Sequence, residues 1–509
     1  LRIERERKGR CMATYVAVID IGKTNKKLCI FDAQLGLQYE ISASFPALPG
    51  AHGLLLEDEA AIWAWYREQL RSVYARFPYQ AIAVTTHGAT YALLDSAGEL
   101  AYPIVAYESP LSADQQDALD GSFYSAVGPL ATVQAETGTC DLPLLINPAK
   151  SLFYLQQLEP QAVSKAQTLL WYPQYWGYRL TGQLSNEITY MANHSFLYDV
   201  QHGGPSSLAK KLDFARLLPS DVQKPGALLG TLSPDLQQEL GLPALPVAVG
   251  IHDSNAALLP YLLVHGKRDF ILNSTGTWCV AMHRVATAQY RPEELEQKII
   301  FNVDALGDLH KTSFLMGGQD YGLYHDLIGG EDPGFDRQRV DGHLAEIDNA
   351  ILPGAFPSQF PSMFGGAVAG SDDAAQQWAV EDLHDDGPDW FSDSAKAHDY
   401  LNIALAIQTK VALQRTDMAA NTAVFVEGGF RKNPTYLAVL AALLPQAAII
   451  LTDLPQATAG GTAILALALA QGKPLVDYAD KLHIGETALQ RPNLPHLSAY
   501  EATYLGRLS

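Results

Sequence analysis

Apolar positions in this chain come in two rhythms, short β-branched runs and longer stretches of helical spacing. Tyr15 to Ile19 is a β-branched run ending in Asp20-Ile21-Gly22-Lys23-Thr24-Asn25, and a second run, Lys27 to Asp32, follows at once. Two such runs across a short polar turn predict a β-hairpin. From Ala60 to Phe77 the spacing turns helical, with Ile62, Trp63, Tyr66 and Leu70 on one face. Ala81 to Thr85 predicts a buried strand, with His87-Gly88-Ala89-Thr90 at its carboxyl end, where open α/β sheets bind ligands. Ala92 to Asp95 continues into a Ser96-Ala97-Gly98 turn, and Pro103 to Glu108 reads as one more short strand delivering Glu108 to a loop. Helices are predicted over Leu142 to Gln157 and Trp171 to Leu180, the second closed by Thr181-Gly182.

Beyond Pro243 to Pro246 the opening pattern returns. An apolar run, Val247 to Gly250, leads to Asp253 and a helix; Phe270 to Leu272 then opens into Asn273-Ser274-Thr275-Gly276-Thr277, and Trp278 to Met282 runs back. The expected organisation is therefore two domains, 12–246 and 247–475, followed by a tail over 476–509. Asp332 to Gln359 reads as an acidic, loop-rich insertion or lid, and Tyr400 to Met418 as a long buried helix. Thr422 to Val426 is a buried strand ending in Glu427-Gly428-Gly429-Phe430-Arg431-Lys432-Asn433. Ala448 to Leu451 is the last strand. The final helix, Ala457 to Ala470, starts with Ala459-Gly460-Gly461-Thr462, small enough for a neighbour to pack closely.

Length and composition agree with this picture. A chain of 509 residues exceeds one ordinary core, and 48% hydrophobic with 18% charged residues describes a globular protein. A net charge of −20 argues against a nucleic-acid surface, and an anionic ligand would need a local cation such as a metal ion. Cys11, Cys29, Cys140 and Cys279 lack CxxC spacing, so neither a zinc site nor a disulfide framework is expected, in keeping with a reducing, cytoplasmic setting. No apolar run reaches the roughly 18 residues of a membrane span. Met12-Ala13-Thr14 reads as a start, with residues 1–11 as translated upstream sequence or an expression remnant and not a signal peptide.

The candidate chemistry lies in the turns. Gly22, Thr24 and Asn25 offer backbone and side-chain donors to a phosphate, and Asp20 could hold Mg²⁺ directly or through water. An ordinary hairpin turn, with Asp20 satisfying local amides, fits the same residues. Ser274, Thr275, Gly276 and Thr277 repeat the arrangement, so two turns could clamp a polyphosphate from both sides. Asp253, a lone carboxylate facing such a loop, is the minimum equipment for moving a phosphoryl group onto an alcohol. His87 and Glu108 are candidates for a polar substrate, although a histidine after a strand is often merely structural. Gly428 and Gly429 allow either close approach of a flat ligand such as adenine or a tight strand-to-helix turn.

The ordered set resembles the FGGY family of carbohydrate kinases, of the sugar kinase/Hsp70/actin superfamily. It comprises Asp20 to Asn25, His87-Gly88, Thr181-Gly182 with Glu187-Ile188-Thr189 and Leu197-Tyr198-Asp199, Gly250 to Asp253, Asn273 to Trp278, Gly428 to Asn433 and the Ala457 to Ala463 helix start. The resemblance spans residues 15 to about 472. It implies an α/β protein of two ribonuclease-H-like (actin-like ATPase) domains with a nucleotide cleft between them. Sugar would bind mainly to the first and ATP mainly to the second, and a homodimer is compatible. It further implies Asp253 as general base, Mg²⁺ near Asp20, and phosphate donors from Thr24, Asn25, Thr275 and Gly276. Gly428, Gly429 and Asn433 would line the adenine end. Two departures matter. Lys23 intervenes before Thr24, where it either touches the γ-phosphate or faces solvent. Thr85-Thr86-His87-Gly88 and Tyr107-Glu108-Ser109 replace segments common in the family, which argues against xylulose- or glycerol-like recognition, while the Thr-x-Gly-then-apolar pattern and the Ser274-Thr275-Gly276-Thr277-Trp278 turn resemble the rhamnulose and fuculose kinases. A pentulose or polyol kinase, an Hsp70/actin-like ATPase and a non-catalytic sugar sensor are the competing readings.

Overall fold

A computed structural model describes residues 14–354, 366–370 and 376–507. The proposed start at Met12 and the end of the 332–359 segment lie outside the described residues.

The first sheet is built on the predicted hairpin. β1 (Tyr15–Ile21) pairs antiparallel with β2 (Asn25–Asp32), which pairs with β3 (Leu37–Ser44). On its other side β1 runs parallel to β4 (Tyr79–Thr86). β5 (Leu228–Thr231) and β6 (Pro246–Ala248) extend that edge, and β7 (Ile251–His252) pairs parallel with the end of β4. Side chains alternate across β1, so its two faces bury different cores. Ala17, Ile19 and Ile21 join Trp63, Tyr66 and Leu70 of α1 (Glu59–Tyr74) and Trp176 of α2 (Tyr172–Thr181). Asp58 starts α1 by accepting from the Ala61 amide at 3.1 Å.

The opposite face, Val16 and Val18, is covered from far along the chain by Ile464, Leu465 and Leu467. α3 (Asp253–His265), which follows β7 directly, packs against that helix.

The second sheet repeats the first. β8 (Phe270–Thr275) pairs antiparallel with β9 (Cys279–Arg284) and parallel with β12 (Ala423–Gly428). Beyond β9 lie β11 (Leu309–Leu315) and β10 (Ile299–Val303). Beyond β12 come β13 (Ala448–Asp453) and β14 (Gly485–Ala488). Ile271, Val424 and Val426 face α4 (Ser394–Gln414) and α5 (Pro434–Leu443), whereas Leu272 and Phe425 face Leu258, Tyr261 and Leu262 of α3. α6 (Ala457–Gln471) lies against both α3 and the first sheet. The two helices therefore form a shared layer between the sheets. They touch backbone to backbone: a Cβ on Gly461 would lie 1.9 Å from the Ala256 carbonyl oxygen.

The two halves of the chain also meet at a second place. Gly138, at φ +66°, accepts through its carbonyl from the Phe301 amide at 2.7 Å, and Lys298 Nζ donates to the Asp141 carbonyl at 2.7 Å. No single described helix is long and apolar enough to cross a membrane. The one bent pair of apolar segments, 457–471 with 475–481, turns through 120°.

Several expectations change. β6 and β7 pair with β4 and so belong to the first sheet, although the sequence pattern groups 247–252 with the second half. The expected tail is structured: β14 closes the second sheet and α7 (Leu497–Gly506) packs Tyr500 and Tyr504 into its core. Pro103 to Glu108 is not a strand, since only Val105 finds a partner, in a single bridge to Leu56. The helix predicted from Leu142 begins at Pro148, after a loop held by Asn147 Oδ1 accepting from the Leu142 amide at 2.8 Å. Within Asp332 to Gln359 the described part contains a helix, Arg337–Leu344, and a strand, Ala350–Leu352. Buried Asp399 anchors that helix through Arg339 and His343. The segment is thus more than a loop-rich lid.

Candidate active site

Strand pairing brings the site together. β7 runs parallel to β4 with Ile251 opposite Thr85 and His252 opposite Thr86, so His87-Gly88 and Asp253 emerge side by side. The β1–β2 turn contributes Lys23 and Thr24, the loop after 105 contributes Tyr107 and Glu108, and the β8–β9 turn contributes Ser274, Thr275, Gly276 and Thr277. All of these line one cavity of about 530 Å³. A second cavity, about 780 Å³, shares Thr275 to Thr277 and continues to Gly429, Phe430 and Asn433. One turn therefore belongs to both chambers, the smaller of which holds the Asp253 carboxylate.

Some expected site residues lie behind the walls. Gly22 and Asn25 shape the first turn without lining either cavity, and Asn25 Oδ1 accepts from Ser44 Oγ at 3.0 Å. Gly428, at φ +87°, stands where a Cβ would come within 2.0 Å of the Thr275 carbonyl oxygen, so it permits strand pairing. Asn433 does line the larger cavity, but its polar ends are engaged: it accepts from the Tyr436 amide at 3.0 Å to cap α5 and donates to Asn402 Oδ1 at 2.6 Å. Lys23 points towards the smaller chamber, 2.8 Å from Glu57 Oε1 and 3.3 Å from Glu108 Oε2.

Burial raises the Asp253 carboxyl above the usual range, against the opposing influence of His87 and of Ser254. Asp253 Oδ1 accepts from the Ser254 amide at 2.6 Å and from its hydroxyl at 3.3 Å. Among the described residues no protein group donates to Oδ2. Asp20 is buried and pushed up to about 7, first by burial and further by Asp253, with Lys27 opposing. A cation beside Asp20 would relieve this. Among the described residues no cluster of three His, Cys, Asp or Glu forms a metal cage. Asp20 plus water and phosphate oxygens is nevertheless the donor set that Mg²⁺ commonly takes with nucleotides, so the residues fit that ion.

Three imidazoles, His87, His194 and His252, complete the chamber. Burial lowers His194 to about 3 and His252 to about 4, and lowers His87 as well, so all three are neutral near pH 7. Gly88 is required between them: a Cβ there would lie 2.5 Å from His194 Nε2 and 2.7 Å from His252 Nε2. Asn193 Nδ2 lies 3.0 Å from His252 Nε2. Sequence reading missed Asn193, His194 and Tyr107, which follow irregular segments. His252 carried a signal in its adjacency to Asp253.

The segment bearing Asn193 hangs on Glu187. This buried carboxyl accepts from the Thr189 amide and hydroxyl, both at 2.8 Å, and the Thr189 hydroxyl in turn accepts from the His252 amide at 3.2 Å. Burial pushes Glu187 up to about 8 despite these bonds. The folded protein holds a proton there that the unfolded chain releases near 4.5. Stability from this group is fully present below about 4.5 and is lost as pH rises towards about 8. Glu187→Gln should flatten the fall in urea midpoint between pH 5 and 8, and an unchanged slope would assign it elsewhere.

Solved structures resemble the whole chain. A carbohydrate kinase from Novosphingobium aromaticivorans aligns with TM-score 0.75 and 26% identity, covering 97% of this chain and 98% of that one. A xylulose kinase from Lactobacillus acidophilus aligns with TM-score 0.76 at 16% identity, covering 97% of each. The fold is thus the two-domain, actin-like α/β architecture. The family description "FGGY family of carbohydrate kinases, N-terminal domain" matches residues 15–260, and "Carbohydrate kinase FGGY, C-terminal domain" matches 267–474. The chain belongs to the FGGY family of carbohydrate kinases. Among curated relatives, the L-fuculokinase of Salmonella typhi is 27% identical over 285 residues, 53% of this chain and 56% of that protein. The rhamnulokinase of Oceanobacillus iheyensis is 26% identical over 205 residues, 39% of this chain and 41% of that protein. The chain spans just over half the length of the first of these and less of the second.

Proposed function

We propose that this protein transfers the γ-phosphoryl group of ATP to a hydroxyl of a neutral ketose, a deoxyhexulose such as L-rhamnulose or L-fuculose, in the cytoplasm. The observation that carries the reading is Asp253 in a chamber whose other wall is the Ser274–Thr277 turn, itself shared with the larger cavity. A neutral alcohol is a poor nucleophile, and Asp253 would accept its proton as the bond to phosphorus forms. Thr24, Thr275 and Gly276 would donate to the phosphoryl oxygens, where fixed dipoles act without reorganisation. Mg²⁺ held by Asp20 would neutralise phosphate charge when bound. The nucleoside would occupy the larger cavity against Gly429 and Asn433.

Charge and shape support the substrate class. Lys23 and Lys26 are matched by Glu57 and Glu108, which leaves Asp253 as the chamber's unmatched carboxylate and disfavours an anionic sugar acid. Opposite the imidazoles, Leu142, Ile146, Ile300 and Phe314 form an apolar wall that suits a methyl group. The relatives named L-fuculokinase and rhamnulokinase agree with it. A pentulose is the second reading, favoured by the fold neighbour named as a xylulose kinase. ADP release should be measured with Mg-ATP against ketohexuloses, pentuloses, polyols and aldonates. A 6-deoxyketose is expected to give the highest kcat/KM, by at least tenfold over its 6-hydroxy counterpart. A pentulose preference would move the substrate, and no sugar stimulation would defeat the kinase reading in favour of an ATPase or sensor.

A further inference from the structure

Lys23 belongs by sequence to the turn that cradles phosphate, but its side chain is directed elsewhere. Its ammonium lies 2.8 Å from Glu57 Oε1, 3.3 Å from Glu108 Oε2 and 5.1 Å from the centre of the Tyr107 ring. These partners come from the loop before α1 and the loop after Val105, both on the sugar side of the cleft. The direction is built in from below. Glu57 is almost fully buried, and Lys26, wholly buried, donates through Nζ to the Lys23 carbonyl at 2.8 Å while lying 3.9 Å from the other Glu57 oxygen. Lys23 and Lys26 share the charge of Glu57, and Glu108 is a second counter-charge to Lys23 at the cavity rim.

We propose that Lys23 is a specificity-determining residue of the sugar chamber and not a phosphate ligand. An ammonium has three N–H donors. One donates to Glu57 Oε1 at 2.8 Å, Glu108 Oε2 lies 3.3 Å away as an ion-pair partner, and Lys23 keeps donor capacity where it lines the chamber. Its partner is a hydroxyl or carbonyl oxygen of the ketose, with Glu108 accepting from a neighbouring hydroxyl. A donor and an acceptor fixed together read a pair of adjacent oxygens. An analogue lacking one of them leaves a partly buried charge unpaired, which is how polar sites reject such analogues.

This rests on the kinase reading, and the test separates the two. Steady-state kinetics of Lys23→Met and Glu108→Gln are measured with sugar and ATP varied in turn, with urea midpoints as a check on folding. Lys23→Met should raise KM for the ketose roughly 10- to 100-fold, the range of one lost charged hydrogen bond, with KM for ATP changed less than about twofold. Glu108→Gln should act in the same direction, and Lys23→Met should cost less in the Glu108→Gln background than alone, because the two are coupled. Lys23→Arg should recover part of the loss. A rise in KM for ATP with the sugar KM unchanged would return Lys23 to the phosphates and overturn the inference. Additive effects of the two substitutions would overturn the paired readout. Absence of sugar-stimulated turnover in the wild type would instead remove the kinase reading itself.

Discussion

Replacing Asp253 by Asn should lower kcat by roughly 10²- to 10⁴-fold if it is the proposed base, the usual contribution of a positioned general base. The substitution preserves shape. An amide oxygen can still accept from the Ser254 amide, which lies 2.6 Å from Oδ1, so the start of α3 keeps its local order. What is lost is the capacity to take a proton from the attacking hydroxyl. KM for both substrates should change little, since binding groups on either side of Asp253 are untouched. Ser254→Ala is the graded companion, and it should reduce kcat by less than about tenfold because only the longer, 3.3 Å hydroxyl bond disappears. Single-turnover measurement with saturating sugar and Mg-ATP distinguishes chemistry from release. A fall of less than tenfold in Asp253→Asn would remove Asp253 from the role of base.

The largest stability effect is expected at Gly461. An alanine Cβ would be 1.9 Å from the Ala256 carbonyl oxygen and 3.3 Å from Pro260 Cδ, and a backbone carbonyl cannot turn aside as a side chain does. α3 and α6 must separate, loosening Ile464 and Leu467 against the first sheet. Overpacking of this kind costs about 3 kcal/mol or more. Gly460→Ala is the control one residue away. Nothing lies within 4 Å of its Cβ position, so helix propensity should make it neutral or stabilising by up to about 1 kcal/mol. Urea midpoints of the two variants should move in opposite directions. Because α3 begins at Asp253, Gly461→Ala should also lose activity below its unfolding transition, which Gly460→Ala should not.

The parts of this architecture that were legible in the chain are those set by local pattern. β-branched runs around Gly22 and Gly276 announced both hairpins, and the small residues at 459–462 announced a close helix contact. What escaped was decided at long range. β6 and β7 joined the first sheet because β4 offered an open edge, which no residue near 246 reveals. The apolar stretch at 103–108 met no continuous partner strand and stayed a loop. Lys23 is aimed by Glu57, 34 residues away, and His194 enters the chamber from an irregular segment anchored by a buried glutamate. Gly428 was readable as a special position, but its reason is strand pairing with Thr275, not ligand approach.

The helix that covers Val16 and Val18 has a consequence for synthesis on the ribosome. One face of the first sheet is complete only when Ile464 and Leu467 arrive, roughly 200 residues after β7 has been made. At about 5–20 residues per second, the nascent chain carries that apolar face uncovered for roughly 10–40 seconds. During this interval β1 and β4 cannot bury both sides, so the N-terminal half must be held by chaperones or remain partly folded. Translation pausing before residue 471 would therefore favour aggregation, whereas pausing after it would not.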